Sequence, residues 1–221
     1  MMRPLILVAA SGLAREALET VRAVGGYEAI GFVDDNADRW GELIDGIKVI
    51  GSLDVMRDYP DAGVLLCAGS GADRESMATR LDLEDGRYAT VIHPSVSVPG
   101  SCTVGIGTMV MAGCVLTASV AVGRHVVLMP NVTLTHDNNV ADFATLCAGV
   151  ALGGSVTVGA RSYLGMNASV RERRRLGTDA VIGMGAVVLT DVPEHETWVG
   201  VPAKRLQVVE VEHEREGDTN E

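Results

Sequence analysis

The feature that most constrains this chain is a period of six. Every sixth residue from Ile92 to Val188 is Val, Leu or Ile, at all seventeen positions. These types make up only about a fifth to a quarter of an ordinary chain. A second register, four residues after each of these, runs from Val96 to Val192. It is small or β-branched except at Asn138 and Arg174. Six matches neither the 3.6 of a helix nor the 2 of a simple strand. It fits a short flat strand plus a turn, three of which close a triangular coil of 18 residues. Both registers then point inward and stack on the next coil. At about 4.8 Å per stacked strand the prism stands roughly 27 Å tall. No hexad is interrupted, so no long loop projects from it.

Composition agrees. The chain is 47% hydrophobic but only 4% aromatic, which suits an interior too narrow for many rings. It is too apolar for a disordered chain. The formal charge is −11, which argues against sequence-independent nucleic-acid binding. Residues 88–123 contain no Asp, Glu, Lys or Arg. Pro94, Pro99 and the periodic polar residues nonetheless exclude a membrane span there. The N-terminus lacks a signal-peptide pattern, and Cys67, Cys102, Cys114 and Cys147 form no C-x-x-C pair, so the expectation is a reduced, cytoplasmic protein.

The first ninety residues read differently. Residues 5–9 form a buried strand, 10–12 a turn, 13–24 a helix, and 29–33 a second strand ending at Asp34-Asp35. This is a βαβ start of nucleotide-binding type, with an acidic pair about 20 residues after the glycine turn. A strand over 63–68 ends at Gly69-Ser70-Gly71, again placing glycines at a strand's C-terminal edge. The expected organisation is an α/β Rossmann-like domain over 1–90, an all-β parallel helix over 91–193, a loop over 194–207 and an acidic, disordered tail over 208–221.

The hexad pattern resembles that of the left-handed β-helix acyltransferases. Together with the preceding Rossmann-like domain and the closing Val199-Gly200-Val201-Pro202-Ala203-Lys204-Arg205, it resembles the PglD/NeuD-type sugar acetyltransferases over residues 5–207. That resemblance implies an acetyl-CoA-dependent N-acetyltransferase that needs no metal. It implies a homotrimer with sites between subunits, and a nucleotide-sugar partner, a UDP-linked amino sugar first of all. Substrate contacts carry over to Ser11, Gly12, Asp34, Asp35 and Gly69. The family's first turn usually has a Gly and a His that Ala9-Ala10-Ser11-Gly12-Leu13-Ala14 lacks.

Among five histidines, His136 differs from the rest. It points outward in Thr135-His136-Asp137-Asn138, is followed by an acid, and adjoins the broken register at Asn138. His93 is expected at the domain junction, and His125, His195 and His213 on the surface. Attack of an amine on a thioester needs a base, and imidazole suits that task near neutrality. Asp137 would orient the ring. One coil of 18 places Gly154 beside His136, where its N–H can meet an oxyanion. The resemblance assigns the His-Asp motif to His136 and Asp137, and cofactor contacts to Gly154, Gly165, Met166, Gly183, Met184, Pro202, Lys204 and Arg205. Relatives often carry a second histidine where Thr145 stands. A basic group of Arg161, Arg171, Arg173, Arg174 and Arg175 would attract the CoA phosphates, and Arg174, facing inward, is expected to bulge its hexad. Two rivals stay open: a sugar O-acetyltransferase, and a non-catalytic trimeric scaffold. A metal-dependent hydratase would need three placed histidines, which this chain lacks.

Overall fold

A computed structural model describes residues 2–206. The expected tail and His213 lie outside the described residues. The N-terminal region is a five-stranded sheet of β1 (Arg3–Val8), β2 (Tyr27–Val33), β3 (Leu43–Ile44), β4 (Ile47–Gly51) and β5 (Gly63–Leu66). The order is β3-β4-β2-β1-β5, parallel except for β3 against β4. Helix α1 (Gly12–Val24) follows β1, capped by Ser11, whose hydroxyl accepts from Ala14 N–H. Its apolar face of Ala14, Ala17, Leu18 and Val21 is buried. Part of that burial is against the prism, because Met109, Met111 and Val127 join the same apolar cluster. Helix α2 (Gly71–Leu81) follows β5, capped by Ser70.

From Val91 the chain winds as a left-handed parallel β-helix. Strands of two residues, with one of three at Thr197–Val199, stack into three sheets of five, eight and five strands. Partners are 18 residues apart, as in Ala121↔Asn139 and Thr133↔Ala151. Every member of the first register from Val110 to Val188 is buried. The core is Val, Leu, Ile, Ala and Cys, with Trp198 the one ring packed against it. The second corner position is left-handed throughout, as at Asn131 (φ 61°), Asp137 (φ 60°) and Ser155 (φ 59°). Short polar side chains tolerate that conformation best.

Two readings of the inward register need correction. Asn138 is not a break made for chemistry. It is buried, and its Nδ2 donates to Gly153 O at 2.7 Å. Thr108 and Ser162 make the same bond to the carbonyl fifteen residues on, Gly123 O and Gly177 O, both at 2.8 Å. An inward polar group is tolerated wherever it meets that carbonyl. Nor does Arg174 bulge its hexad. The ladder runs on through Thr157 N–H to Arg174 O (3.0 Å) and Gly159 N–H to Leu176 O (2.8 Å). The guanidinium instead lies over Glu172 O and 3.4 Å from Asp191.

The prism's three edges have different neighbours. One edge, at turns 124–125, 142–143 and 160–161, lies under the N-terminal domain. A Cβ on Gly71 would sit 2.2 Å from Phe143 O and 2.9 Å from Arg161 Cα, so glycine is what lets α2 dock there. The second edge carries Pro130, Ala148, Met166 and Met184; the third carries Ala118, His136, Gly154 and Glu172.

Candidate active site

On the third edge the His136 ring stands in solvent. Its side chain is 64% exposed and that of Asp137 58%, and Nδ1 lies 2.8 Å from Asp137 Oδ2. An ionised carboxylate only accepts, so this pairing assigns the proton to Nδ1 and leaves Nε2 bare. The left-handed turn at Asp137 brings the two side chains together. Nε2 faces Gly154: a Cβ built there would be 2.3 Å from it.

The Gly154 N–H donates to no protein oxygen among the described residues. Its direction follows from Asn138. That amide holds the Gly153 carbonyl from inside the prism, and a trans peptide sets the C=O of Gly153 and the N–H of Gly154 on opposite sides. The free N–H therefore points out, beside Nε2. A bare imidazole nitrogen and an unpaired N–H on one exposed edge can accept a proton and donate to a developing oxyanion.

The remaining expected site residues fall elsewhere. Met166 (47% exposed) and Met184 (72%) lie on the second edge. There Gly165 and Gly183 allow close stacking on Met184 and Val199. Pro202 and Lys204 belong to the hairpin closing the top, where Arg205 lies 3.3 Å from Glu196. One chain does not bring these residues to His136. Arg161 lies at the covered edge, against Gly71 of α2. It pairs with Asp179 (2.7 Å) and Glu75 (3.0 Å) under α2. Arg173, whose N–H bonds Gly154 O at 2.8 Å, stands one coil above the glycine.

His125 is also corrected. It is buried at the covered edge, stacked on Phe143 (centroids 5.0 Å, 10°) and edge-on to Tyr88 (4.7 Å, 85°). Burial pushes its pKa down to about 4. Its Nδ1 has no hydrogen-bond partner among the described residues. Thr145 is likewise buried, under the N-terminal domain, with Oγ1 donating to Gly69 O at 2.8 Å.

The strand-end residues meet at one edge of the first domain. Ser11 Oγ donates to Cys67 O at 2.7 Å, and Asp34 accepts from Ala10 and Asn36 N–H, both at 2.9 Å. Asp35 pairs with Arg80 at 2.6 Å, and that bond holds its carboxyl below the usual carboxylate range. Gly12, at the start of α1, has open space around it. A cleft of about 110 Å³ opens between Ala9, Asp34, Asp35 and Met77. Sequence reasoning missed a larger groove of about 470 Å³ between α1 and the second edge, lined by Glu16, His93, Met111, Met129 and Met166. Only the packing of α1 on the prism creates it, so no motif announces it. Among the described residues no cluster of three or more His, Cys, Asp or Glu is placed to hold a metal, and no helix is long and apolar enough to cross a membrane.

Comparison with known proteins fits this geometry. Residues 4–81 match the PglD N-terminal domain family. The acetyltransferase domain of PglB from Neisseria gonorrhoeae FA1090, solved with acetyl coenzyme A, superposes with a TM-score of 0.85 at 27% identity, over 93% of this chain and 100% of that one. Residues 4–81 are thus similar to the PglD N-terminal domain, and the chain as a whole is similar to left-handed β-helix acetyltransferases. A histidine-to-asparagine variant of perosamine N-acetyltransferase from Caulobacter crescentus, solved with CoA and GDP-perosamine, gives a TM-score of 0.86 at 28% identity, over 94% of this chain and 99% of that one. Among curated proteins, a putative acetyltransferase of Schizosaccharomyces pombe is 34% identical over 95 residues, 43% of this chain and 46% of that protein. The UDP-N-acetylbacillosamine N-acetyltransferase of Bacillus subtilis is 37% identical over 59 residues, 27% of each. The chain thus spans less than half the length of these two curated relatives.

Proposed function

We propose that this protein transfers an acetyl group from acetyl-CoA to the amine of a nucleotide-linked sugar. The observation that carries the reading is the pairing, on one exposed edge, of a bare His136 Nε2 with the unpaired N–H of Gly154. Nε2 takes the proton as the amine attacks the thioester carbonyl. Asp137 holds the tautomer and stabilises the imidazolium. The Gly154 N–H takes the charge that builds on the carbonyl oxygen. The proton then returns from His136 to the departing thiolate. The base is worth about 10²–10⁴-fold in rate.

Met166, Met184, Lys204 and Arg205 belong to the cofactor's path in this reading. Because they lie on another edge or at the top, the site is completed by a second subunit of a homotrimer. The nucleotide occupies the strand-end edge at Ser11, Gly12, Asp34, Asp35 and Gly69. Two relatives support this class: one solved neighbour binds GDP-perosamine, and one curated relative is a UDP-N-acetylbacillosamine N-acetyltransferase. A UDP-linked amino sugar is the first substrate to try.

A hydroxyl acceptor is the second reading. It is favoured by 26% identity over 140 residues to the galactoside O-acetyltransferase of Escherichia coli. The match of residues 4–81 to the PglD N-terminal domain weighs against it. Thermal-shift screening with acetyl-CoA and a panel of UDP-, dTDP- and GDP-amino sugars tests the choice. The proposal expects shifts with acetyl-CoA and with at least one nucleotide-sugar. A shift with acetyl-CoA alone supports the hydroxyl reading, and no shift with either supports a scaffold.

A further inference from the structure

Arg74 is one of the largest fully buried side chains among the described residues, at 0% exposure. It lies in α2, a largely polar helix of the first domain, and reaches into the prism. Nε donates to His125 O at 3.0 Å. Nη1 donates to Ala68 O (2.7 Å), Gly69 O (3.1 Å) and Thr145 Oγ1 (3.0 Å). Nη2 donates to Phe143 O (2.6 Å) and Ala144 O (3.1 Å). All six acceptors are carbonyl or hydroxyl oxygens. Burial lowers its pKa to about 10, so the group stays charged near neutrality.

Two acceptors belong to the strand-end turn of the first domain and four to the prism. The turn continues through Cys67 O to the Ser11 hydroxyl at the head of α1. The prism acceptors Phe143 O and Ala144 O are on the coil that carries His136, one strand further along. Thr145 ties the same two bodies directly through Gly69 O.

We propose that Arg74, with Thr145, is a positioning residue for acyl transfer: it pins the nucleotide-edge turn at Ala68–Gly69 to the coil of His136. The inference rests on the function proposed above. Helix packing alone leaves a small domain free to rock. A planar fork with five N–H groups, filled from both sides, fixes distance and angle together. Lysine, a single ammonium with three N–H groups and no plane, can meet only part of this set and fixes no angle.

The test uses the full chain as Arg74→Met, Arg74→Lys and Thr145→Val, beside wild type. Each variant should keep its oligomeric mass. KM for acetyl-CoA and for the nucleotide-sugar should stay within about threefold, while kcat falls about 10²-fold in Arg74→Met, the loss expected for misplacement by about an ångström. Arg74→Lys should not rescue it, and Thr145→Val should fall less. Amide exchange should quicken at residues 69–72 and 143–146 but not at 134–140. A folded variant with wild-type kcat overturns the proposal, and so does a fall in kcat matched by the loss of folded protein. If Arg74 variants fail to fold, Thr145→Val decides alone by the same readouts. If wild type transfers to no nucleotide-sugar, the functional reading fails, and amide exchange still judges the pin: unchanged exchange at 69–72 overturns it.

Discussion

Two edges of the same prism each present a histidine, and they have opposite fates. His125 is 2% exposed, wedged between Tyr88 and Phe143 under the first domain, with a pKa near 4. The side chain of His136 is 64% exposed and paired to Asp137. The backbone that carries them is the same two-residue strand and turn. What differs is the cover. At the first edge Gly71 lets α2 touch the turns, and Arg74 and Arg161 lock it there. At the other edge no element among the described residues covers the turn, and Gly154 leaves room for the ring. The repeat builds a rigid frame, and which edge stays open decides which histidine meets solvent.

The largest effect that would break this contrast is at His136. His136→Ala should lower kcat by about 10²–10⁴-fold with both substrates still binding, read in a steady-state assay. A wild-type rate would sink the mechanism. Gly154→Ala comes next. The added methyl would lie 2.3 Å from Nε2 and must push the ring away. A loss of about 10²–10³-fold is expected, with little change in thermal stability because the methyl points toward an exposed ring. Smaller and more discriminating is a matched pair. Asn138→Ala and Ser162→Ala each remove one bond to a carbonyl and should each cost about 0.5–1.5 kcal/mol in denaturant melts. Only Asn138→Ala frees the Gly153–Gly154 peptide, so it alone should slow transfer, by about tenfold. Equal activity in the two variants would separate Asn138 from the site.

The smallest effect on activity belongs to the covered edge. Folded His125 resists protonation down to about pH 4, whereas the unfolded ring titrates near 6.5. The folded form is fully favoured above pH 6.5 and loses stability as pH falls toward 4, because the unfolded chain then binds a proton the folded one refuses. The loss is on the order of 3 kcal/mol. His125→Phe should flatten the stability profile in that window and leave transfer unchanged at pH 7.

Much of this was legible in the sequence. The period of six defines the strands, the corners and the inward registers, because each hexad repeats one local geometry. It also picks out His136 and places Gly154 beside it. What the register cannot reveal is what covers its outer side. His125, Thr145 and Arg161 all look outward in the repeat, and all three serve the contact with the first domain. Arg74 is hidden for the same reason, since a polar helix gives no sign that one of its arginines is fully buried. Asn138 misled in the other direction: its break in pattern is a carbonyl contact shared with Thr108 and Ser162.

The most direct test is a crystal structure of the assembled protein with CoA and its nucleotide-sugar. The account predicts the CoA sulfur on the His136 edge, with the position of the thioester oxygen about 3 Å from the Gly154 N–H, and with Met166 and Met184 of a second subunit across the cleft. A sulfur seated on the Met166–Met184 edge away from any His136, or the sugar amine out of reach of Nε2, would contradict it.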